Sequence, residues 1–244
     1  MEKEIIFADN MYRALCKNKG VDASNSKYYL YHGTAIESFT PTYGFGEDKH
    51  DYGRGFYLTL ELDLAREWAI CADNSIGYVH KYWLDTSNLS ILDFNEHYSV
   101  LTWLATLASH RHASSGKKYV LNETKLIEKY YKPEIKNYDV IVGYRADDSF
   151  FSFAKRAIKG EVDICLLDGI MHSGELGYQI FLQSEKAFKA LKEIKTPGCD
   201  YFEAVSKSKY YDSFERKDSK ARQYVADLIE SDKNTLTDTI EKYL

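Results

Sequence analysis

The chain lacks the cysteine pattern and the long apolar runs that mark secreted or membrane-spanning proteins. Its four cysteines stand singly, with no Cys-x-x-Cys spacing, which predicts neither a disulfide framework nor a zinc site. No run approaches the roughly 18 apolar residues of a transmembrane helix. Glu2 and Glu4 lie where a secretory signal would be basic. We therefore expect a globular cytoplasmic protein with reduced thiols and no membrane contact.

The chain also has fewer basic than acidic residues, 32 against 37. The formal net charge is -5 at pH 7, which disfavours a protein that mainly coats nucleic acid, although a local basic groove stays open. The 21 tyrosines fit an aromatic core and an amphipathic surface better than a platform for stacking bases.

Proline is scarce, with three in the chain, and no linker of low complexity divides it. The nearest feature to a boundary is Thr196-Pro197-Gly198. We predict one domain over residues 1–196 and a helical extension of the same unit over residues 197–244. Because no Gly-x-Gly-x-x-Gly follows the first strand, a Rossmann fold is disfavoured and an α+β fold is favoured.

Hydrophobic periodicity predicts the individual elements. Strands are expected at 27–32, 55–60, 77–84, 89–92, 138–144 and 177–182, the fifth of them buried on both faces. Helices are expected at 63–72, 100–107, 124–131, 150–158 and 162–170, with Leu64, Trp68 and Cys71 on one face of the first. A further helix is capped by Ser184 and carries Ala187, Phe188, Leu191 and Ile194 on one side. Two more helical stretches are expected near residues 224–229 and 236–240.

Two short motifs carry the functional signal. Tyr31-His32-Gly33-Thr34 ends an apolar strand, so an imidazole and an unshielded backbone lie side by side. Asp51-Tyr52-Gly53-Arg54-Gly55-Phe56-Tyr57-Leu58-Thr59 opens a second strand that carries an aromatic ring. Each motif occurs by chance, but the two in this order are rarer and indicate a ligand site.

Together with Tyr144-Arg145-Ala146-Asp147-Asp148-Ser149-Phe150 and the run from Gln179 to Ala187, these motifs resemble the ADP-ribosyltransferase superfamily of the diphtheria-toxin and poly(ADP-ribose) polymerase type. Within that group the chain is most similar to the bacterial domain-of-unknown-function 3990 family, over roughly residues 28 to 194. The resemblance implies a split mixed β core with surrounding helices, and NAD as co-substrate without a metal.

The resemblance also implies roles for individual residues. His32 would bind ribose hydroxyls of NAD and the Gly33 backbone would meet the nicotinamide carboxamide, with Thr34 beside them. Tyr57 would stack on the nicotinamide ring and Trp68 would close the other face, with a cation–π contribution of roughly 0.5 to 2 kcal/mol per ring. From periodicity alone, Trp68 fits a core position equally well.

The third motif of the superfamily is a polar residue that opens a late strand, which is Gln179 here, and at this residue the chain departs from the family pattern. The most familiar active members carry a glutamate where this chain has Gln179, which can orient a hydroxyl but supplies no negative charge. Glu175 is the nearest substitute, or else an exposed loop acid.

Charged residues elsewhere in the motifs have two interpretations each. Asp147 and Asp148 are auxiliary candidates with Arg145, or else a helix cap and its ion pair. Arg54 is a candidate for the NAD pyrophosphate, or else a solvated charge at a strand edge. His110-Arg111-His112 fits a solvated helix end better than a metal site.

The sequence thus predicts a mono-ADP-ribosyltransferase in which His32, Tyr57 and Gln179 carry catalysis. The resemblance implies a bacterial toxin or effector, with a macromolecular acceptor, protein slightly before nucleic acid, and an antitoxin or regulatory protein as partner. The alternatives are a weak or inactive module that binds NAD or ADP-ribose, and an NAD glycohydrolase.

Overall fold

A computed structural model describes residues 27–71, 75–94, 100–111, 125, 129, 132–146, 154–156 and 178–213. Within these ranges the strands are β1 (Lys27–Thr34), β2 (Phe56–Thr59), β3 (Ile76–Asp85), β4 (Ile91–Asp93), β5 (Val140–Tyr144), β6 (Tyr178–Leu182), β7 (Leu191–Ile194) and β8 (Glu203–Ser206). The helices are α1 (Leu62–Ile70), α2 (Val100–Arg111), α3 (Glu185–Ala190) and α4 (Lys207–Ser213), with a 3₁₀ turn at Ile135–Asn137.

The eight strands form one mixed sheet in the order β4-β5-β6-β2-β1-β3-β7, and β8 pairs with β3 beside β7. β4 runs parallel to β5, whereas the other neighbours are antiparallel. The predicted α+β class is confirmed. Strands β6, β2 and β1 lie at the centre of the sheet, and they carry the third, second and first motifs in that order.

The sheet has a hydrophobic cluster on each face. Successive residues of a strand point to opposite faces, and accordingly Leu30 belongs to one cluster and Tyr31 to the other. The larger cluster includes Leu58 and Ile180, and the smaller one packs against α1. β5 is buried at every residue, as its continuous apolar run predicts.

Two regions differ from the sequence predictions. The helix capped by Ser184 is confirmed at its start, where the Ser184 side chain accepts a hydrogen bond from the Ala187 N–H, but it ends at Ala190. Leu191–Ile194 is a strand on β3 instead, and residues 203–206 form another, inside the extension predicted to be helical. Ladder pairing with a long neighbour outweighs helical spacing in such short segments.

Several predicted features lie outside the described residues. The helices expected at 124–131 and 150–158 do so in large part, and those at 162–170 and beyond residue 213 do so entirely. The helix expected at 63–72 is present as α1, but it ends before Cys71, and its buried face is Leu64, Ala65, Ala69 and Ile70. Within the described ranges, no helix has the length and apolar character to cross a bilayer.

Helix α1 lies close to the sheet where two glycines face it. A Cβ added at Gly33 would lie 1.8 Å from the Ala65 carbonyl oxygen, and one added at Gly77 would lie 1.9 Å from the Ala69 carbonyl oxygen. Both contacts are with backbone, which cannot rotate away. The glycines of β1 and β3 therefore set the distance between α1 and the sheet.

We predict that Gly77→Ala will lower the free energy of unfolding by about 1–3 kcal/mol, because α1 must shift to admit the methyl group. Urea unfolding followed by circular dichroism measures the change. Ala204→Val, which adds carbon at an exposed position of β8, is the control and should change stability by less than about 0.5 kcal/mol. Equal stability of Gly77→Ala and the native protein would contradict this account of α1 packing.

Candidate ligand-binding cavity

A cavity of about 800 Å³ opens beside the central strands. Its walls come from β1, β2, β6, α1, the end of α2, α3, the segment after β5 and the long connection before β2. The lining includes His32, Gly33, Phe39, Phe45, His50, Asp51, Phe56, Tyr57, Trp68, Arg111, Arg145, Ala146 and Gln179. Aromatic walls with a few convergent polar groups are typical of a small-molecule site.

His32 enters the cavity in a single tautomer. Its Nδ1 lies 2.8 Å from the carbonyl oxygen of Tyr57, and since a carbonyl only accepts, Nδ1 carries the hydrogen. The ring packs between Phe39 and Phe56, with centroid distances of 5.2 and 4.6 Å. Burial lowers the pKa of His32 to about 4, against the opposing effect of the Tyr57 hydrogen bond. At neutral pH, Nε2 is therefore an acceptor for a ligand hydroxyl.

Tyr57 is held by both its ring and its hydroxyl. The hydroxyl donates to the Gly53 carbonyl oxygen at 2.8 Å and accepts from the Tyr52 N–H at 3.0 Å. Gly53 has a φ of 93°, a conformation that glycine adopts without strain. The Tyr57 ring packs on Phe181 with centroids 4.8 Å apart. Burial raises the pKa of Tyr57, so the hydroxyl stays protonated and the turn before β2 stays fixed.

Trp68 projects from α1, partly exposed, on another wall of the cavity. The edge of its ring meets His32, with centroids 6.5 Å apart, and the Arg145 guanidinium carbon lies 5.9 Å from its centroid. Arg145 also lies 3.8 Å from Glu67. Periodicity alone did not decide between a core position and a site position for Trp68, and the structure places Trp68 in the cavity wall.

The carboxylate of Asp51, which is 4% exposed, bonds to three separate elements. Its Oδ1 lies 2.6 Å from a terminal guanidinium nitrogen of Arg111 at the end of α2. Its Oδ2 accepts from the Ala146 N–H at 2.9 Å and from Gln179 Nε2 at 2.6 Å. Arg111 also donates to the Ala146 carbonyl oxygen at 2.7 Å. These bonds join the connection before β2 to α2, β5 and β6.

The amide of Gln179 has one orientation because two acceptors face the same end of it. Nε2 donates to Asp51 and, at 3.1 Å, to the Tyr144 carbonyl oxygen, so this end must be the NH₂ group. Among the described residues, no donor bonds the other end, Oε1. Gln179 thus brings an acceptor oxygen to the cavity wall.

The structure brings together most of the residues that the sequence selected. His32, Gly33, Tyr57, Trp68, Arg145 and Gln179 all line the cavity. Thr34 and Arg54 lie outside this lining. Thr34 Oγ1 accepts from the Ile36 N–H, and Arg54 is half exposed and bonds Asp48 at 2.9 Å. Asp147, Asp148 and Glu175 lie outside the described residues.

Sequence reasoning missed Asp51 and Arg111. Asp51 heads the second motif but has no local signal for its role, since its partners lie 60 to 128 residues away. The prediction of a solvated end for the helix carrying His110-Arg111 is wrong. Arg111 faces the cavity, and the buried Nε2 of His110 lacks a hydrogen-bond partner within the described ranges. His110 packs against Gly53, where an added Cβ would lie 2.9 Å from its ring.

Two further features of the described residues concern metal ions and thiols. No group of three or more His, Cys, Asp or Glu side chains could hold a metal ion among the residues described. Cys71 and Cys199 are free thiols.

The fold and the cavity define an α+β protein with a mixed eight-stranded sheet and an aromatic-walled pocket at its centre. The model of the family described as "Protein of unknown function (DUF3990)" matches residues 28–193, more than half of the chain. The chain therefore belongs to this family. No curated protein and no solved structure matches it.

We predict that His32 makes the protein acid-sensitive between pH 6.5 and 4. The unfolded chain takes up a proton near the ordinary pKa of 6.5, whereas folded His32 resists protonation until about pH 4. The free energy of unfolding contributed by neutral His32 is therefore present above pH 6.5 and is lost as the pH falls.

Between pH 7 and 4.5 the loss should be about 2 kcal/mol. His32→Gln keeps a donor for the Tyr57 carbonyl but cannot titrate, so its unfolding free energy should fall by about 2 kcal/mol less over this range. Chemical unfolding at both pH values measures the difference. Parallel pH dependence of the two proteins would contradict a neutral His32 imidazole in the folded protein.

Proposed function

We propose that the protein is an NAD-dependent mono-ADP-ribosyltransferase of the ADP-ribosyltransferase superfamily. The observation that carries this proposal is the meeting of His32, Gly33, Tyr57, Trp68 and Gln179 around one cavity. These residues come from β1, β2, α1 and β6, and the resemblance selected them from the sequence for one ligand.

The cavity suits NAD in size and chemistry. Its volume of about 800 Å³ lies within the range of about 300–1,000 Å³ usual for small-molecule sites. Neutral His32 offers Nε2 to a ribose hydroxyl, and Tyr57 and Trp68 offer aromatic faces to the cationic nicotinamide ring. The guanidinium groups of Arg111 and Arg145 line the cavity, whereas Arg54 does not, so we assign the contact with phosphate oxygens to Arg111 and Arg145.

The reaction would proceed by substitution at the anomeric carbon of the nicotinamide ribose. The bond from that carbon to the nicotinamide nitrogen breaks, and its electron pair leaves with neutral nicotinamide. The acceptor then forms the new bond to carbon and loses a proton to solvent. Gln179 would accept a hydrogen bond from a ribose hydroxyl and orient the sugar while positive charge develops on it.

Transfer of a single ADP-ribose unit fits the neutral group at residue 179, because elongation in relatives depends on the glutamate. A bacterial toxin or effector acting in the cytoplasm on a macromolecular acceptor, and held in check by an antitoxin or regulatory protein, is the setting that the family resemblance suggests.

A binding module is the second candidate, and Gln179 is the observation that favours it. Such a module would hold NAD or ADP-ribose without breaking the glycosidic bond. NAD glycohydrolysis lies between the two, with water as the acceptor.

We predict that the purified protein, incubated with a bacterial lysate and NAD labelled in its adenylate part, will attach label to macromolecules and release nicotinamide. Trp68→Ala should lower the rate by about fivefold to thirtyfold, because one face of the nicotinamide clamp is lost. Treating the product with protease or with nuclease identifies the acceptor.

Trp83→Ala is the matched control, since Trp83 lies on β3 against Tyr29 and does not line the cavity. Equal loss in both variants would assign the effect to folding. Nicotinamide release without attached label would indicate the glycohydrolase, and NAD binding without either product would indicate the binding module.

A further inference from the structure

The residue at the expected glutamate position has a carboxylate as its direct neighbour. Gln179 Nε2 donates to Asp51 Oδ2 at 2.6 Å. This bond is as short as the Arg111–Asp51 ion pair and shorter than the bonds to the Ala146 N–H and the Tyr144 carbonyl oxygen. Both side chains are buried, at 4% exposure each. A charge-assisted bond between an amide and a carboxylate in such surroundings is strong and directional.

A glutamate could not take the place of Gln179 without a further change. One of its oxygens would lie where Nε2 lies now, against Asp51 Oδ2 and the Tyr144 carbonyl oxygen. Three acceptors would then meet without a hydrogen between them, and two buried carboxylates would repel each other. The glutamine and Asp51 therefore form a matched pair.

The pair carries the same formal charge as a glutamate beside a neutral amide. One carboxylate and one amide are present in either arrangement. In this chain the amide faces the cavity and the carboxylate lies behind it, whereas a glutamate at residue 179 would reverse the two. The hydrogen bond from the amide to Asp51 polarises the amide, which increases the negative partial charge on Oε1. The Asp51 carboxylate, which also pairs with Arg111, thus lies directly behind the Gln179 amide and strengthens Oε1 as an acceptor.

We propose that Asp51 is a positioning residue for the reaction at this site: its bond to Gln179 Nε2 turns the Gln179 carbonyl oxygen towards the ligand and polarises it, in place of part of the charge that a glutamate would carry. This inference rests on the proposed function. It also explains how an active enzyme can lack the glutamate.

The test compares the native protein with Asp51→Asn, Gln179→Glu and the double variant that exchanges the two groups. Nicotinamide release from NAD is measured well below the unfolding temperature of each protein, as kcat and KM separately. Asp200→Asn, which removes an exposed carboxylate that pairs with Lys195, is the control and should retain native turnover.

Each single variant should lose at least about thirtyfold in kcat, with KM changed by less than about threefold, because the pair acts on the developing charge. The double variant should recover at least about tenfold over the weaker single variant. Recovery will be incomplete, because an asparagine nitrogen in place of Oδ2 would face the Ala146 N–H, which now donates to Asp51.

A double variant no faster than the weaker single variant would overturn the inference. So would higher turnover of Gln179→Glu alone, since the charge would then be missing at residue 179 and not moved to Asp51. Loss of thermal stability without loss of kcat in Asp51→Asn would reduce Asp51 to a structural role and contradict the inference.

Unfolding of the same four proteins separates this inference from the proposed function. No nicotinamide release from any of them would contradict the proposed function and, with it, the catalytic part of the inference. The unfolding midpoints would still test the pair: stability that falls in both single variants and rises again in the double variant supports a matched pair, and additive losses contradict it.

Discussion

The carboxylate of Asp51 is the interaction on which the cavity depends. It is buried, and it bonds Arg111 from α2, the Ala146 N–H after β5 and the amide of Gln179 on β6. A buried carboxylate is costly unless all of its acceptor sites are used. Here each oxygen receives hydrogen bonds, so the connection that contains Asp51 has one stable position relative to the sheet. The same connection leads into Gly53 and Tyr57, so Asp51 also fixes the position of the aromatic wall.

A second constraint links the fold directly to the cavity. Gly33 lines the cavity and is also the point where α1 approaches β1, with no space for a side chain. The close approach of α1 brings Trp68 to the cavity wall. Gly33 is therefore required by packing whether or not its backbone meets a ligand, and loss of activity on changing it would not by itself identify a contact.

The sequence predicts the parts of this molecule that depend on local pattern. The buried run of β5, the strands β1 and β2, and the cap at Ser184 are all predicted from neighbouring residues, and the structure confirms them. The short segments β7 and β8 were missed because their state is decided by pairing with β3. Asp51 and Arg111 were missed for the related reason that a hydrogen bond across 60 or 128 residues leaves no periodic signal. The family resemblance selected several residues that line the cavity, but it did not predict the side chain that lies behind Gln179.

The most direct test of this account is a crystal structure with an NAD analogue whose nicotinamide bond cannot be cleaved. The account predicts the nicotinamide ring between Tyr57 and Trp68, with ribose hydroxyls within hydrogen-bonding distance of His32 Nε2 and Gln179 Oε1. The Gln179 amide should still donate to Asp51. An analogue bound away from these residues, or a cavity that stays empty at saturating analogue, would contradict the claim that this cavity is an NAD site.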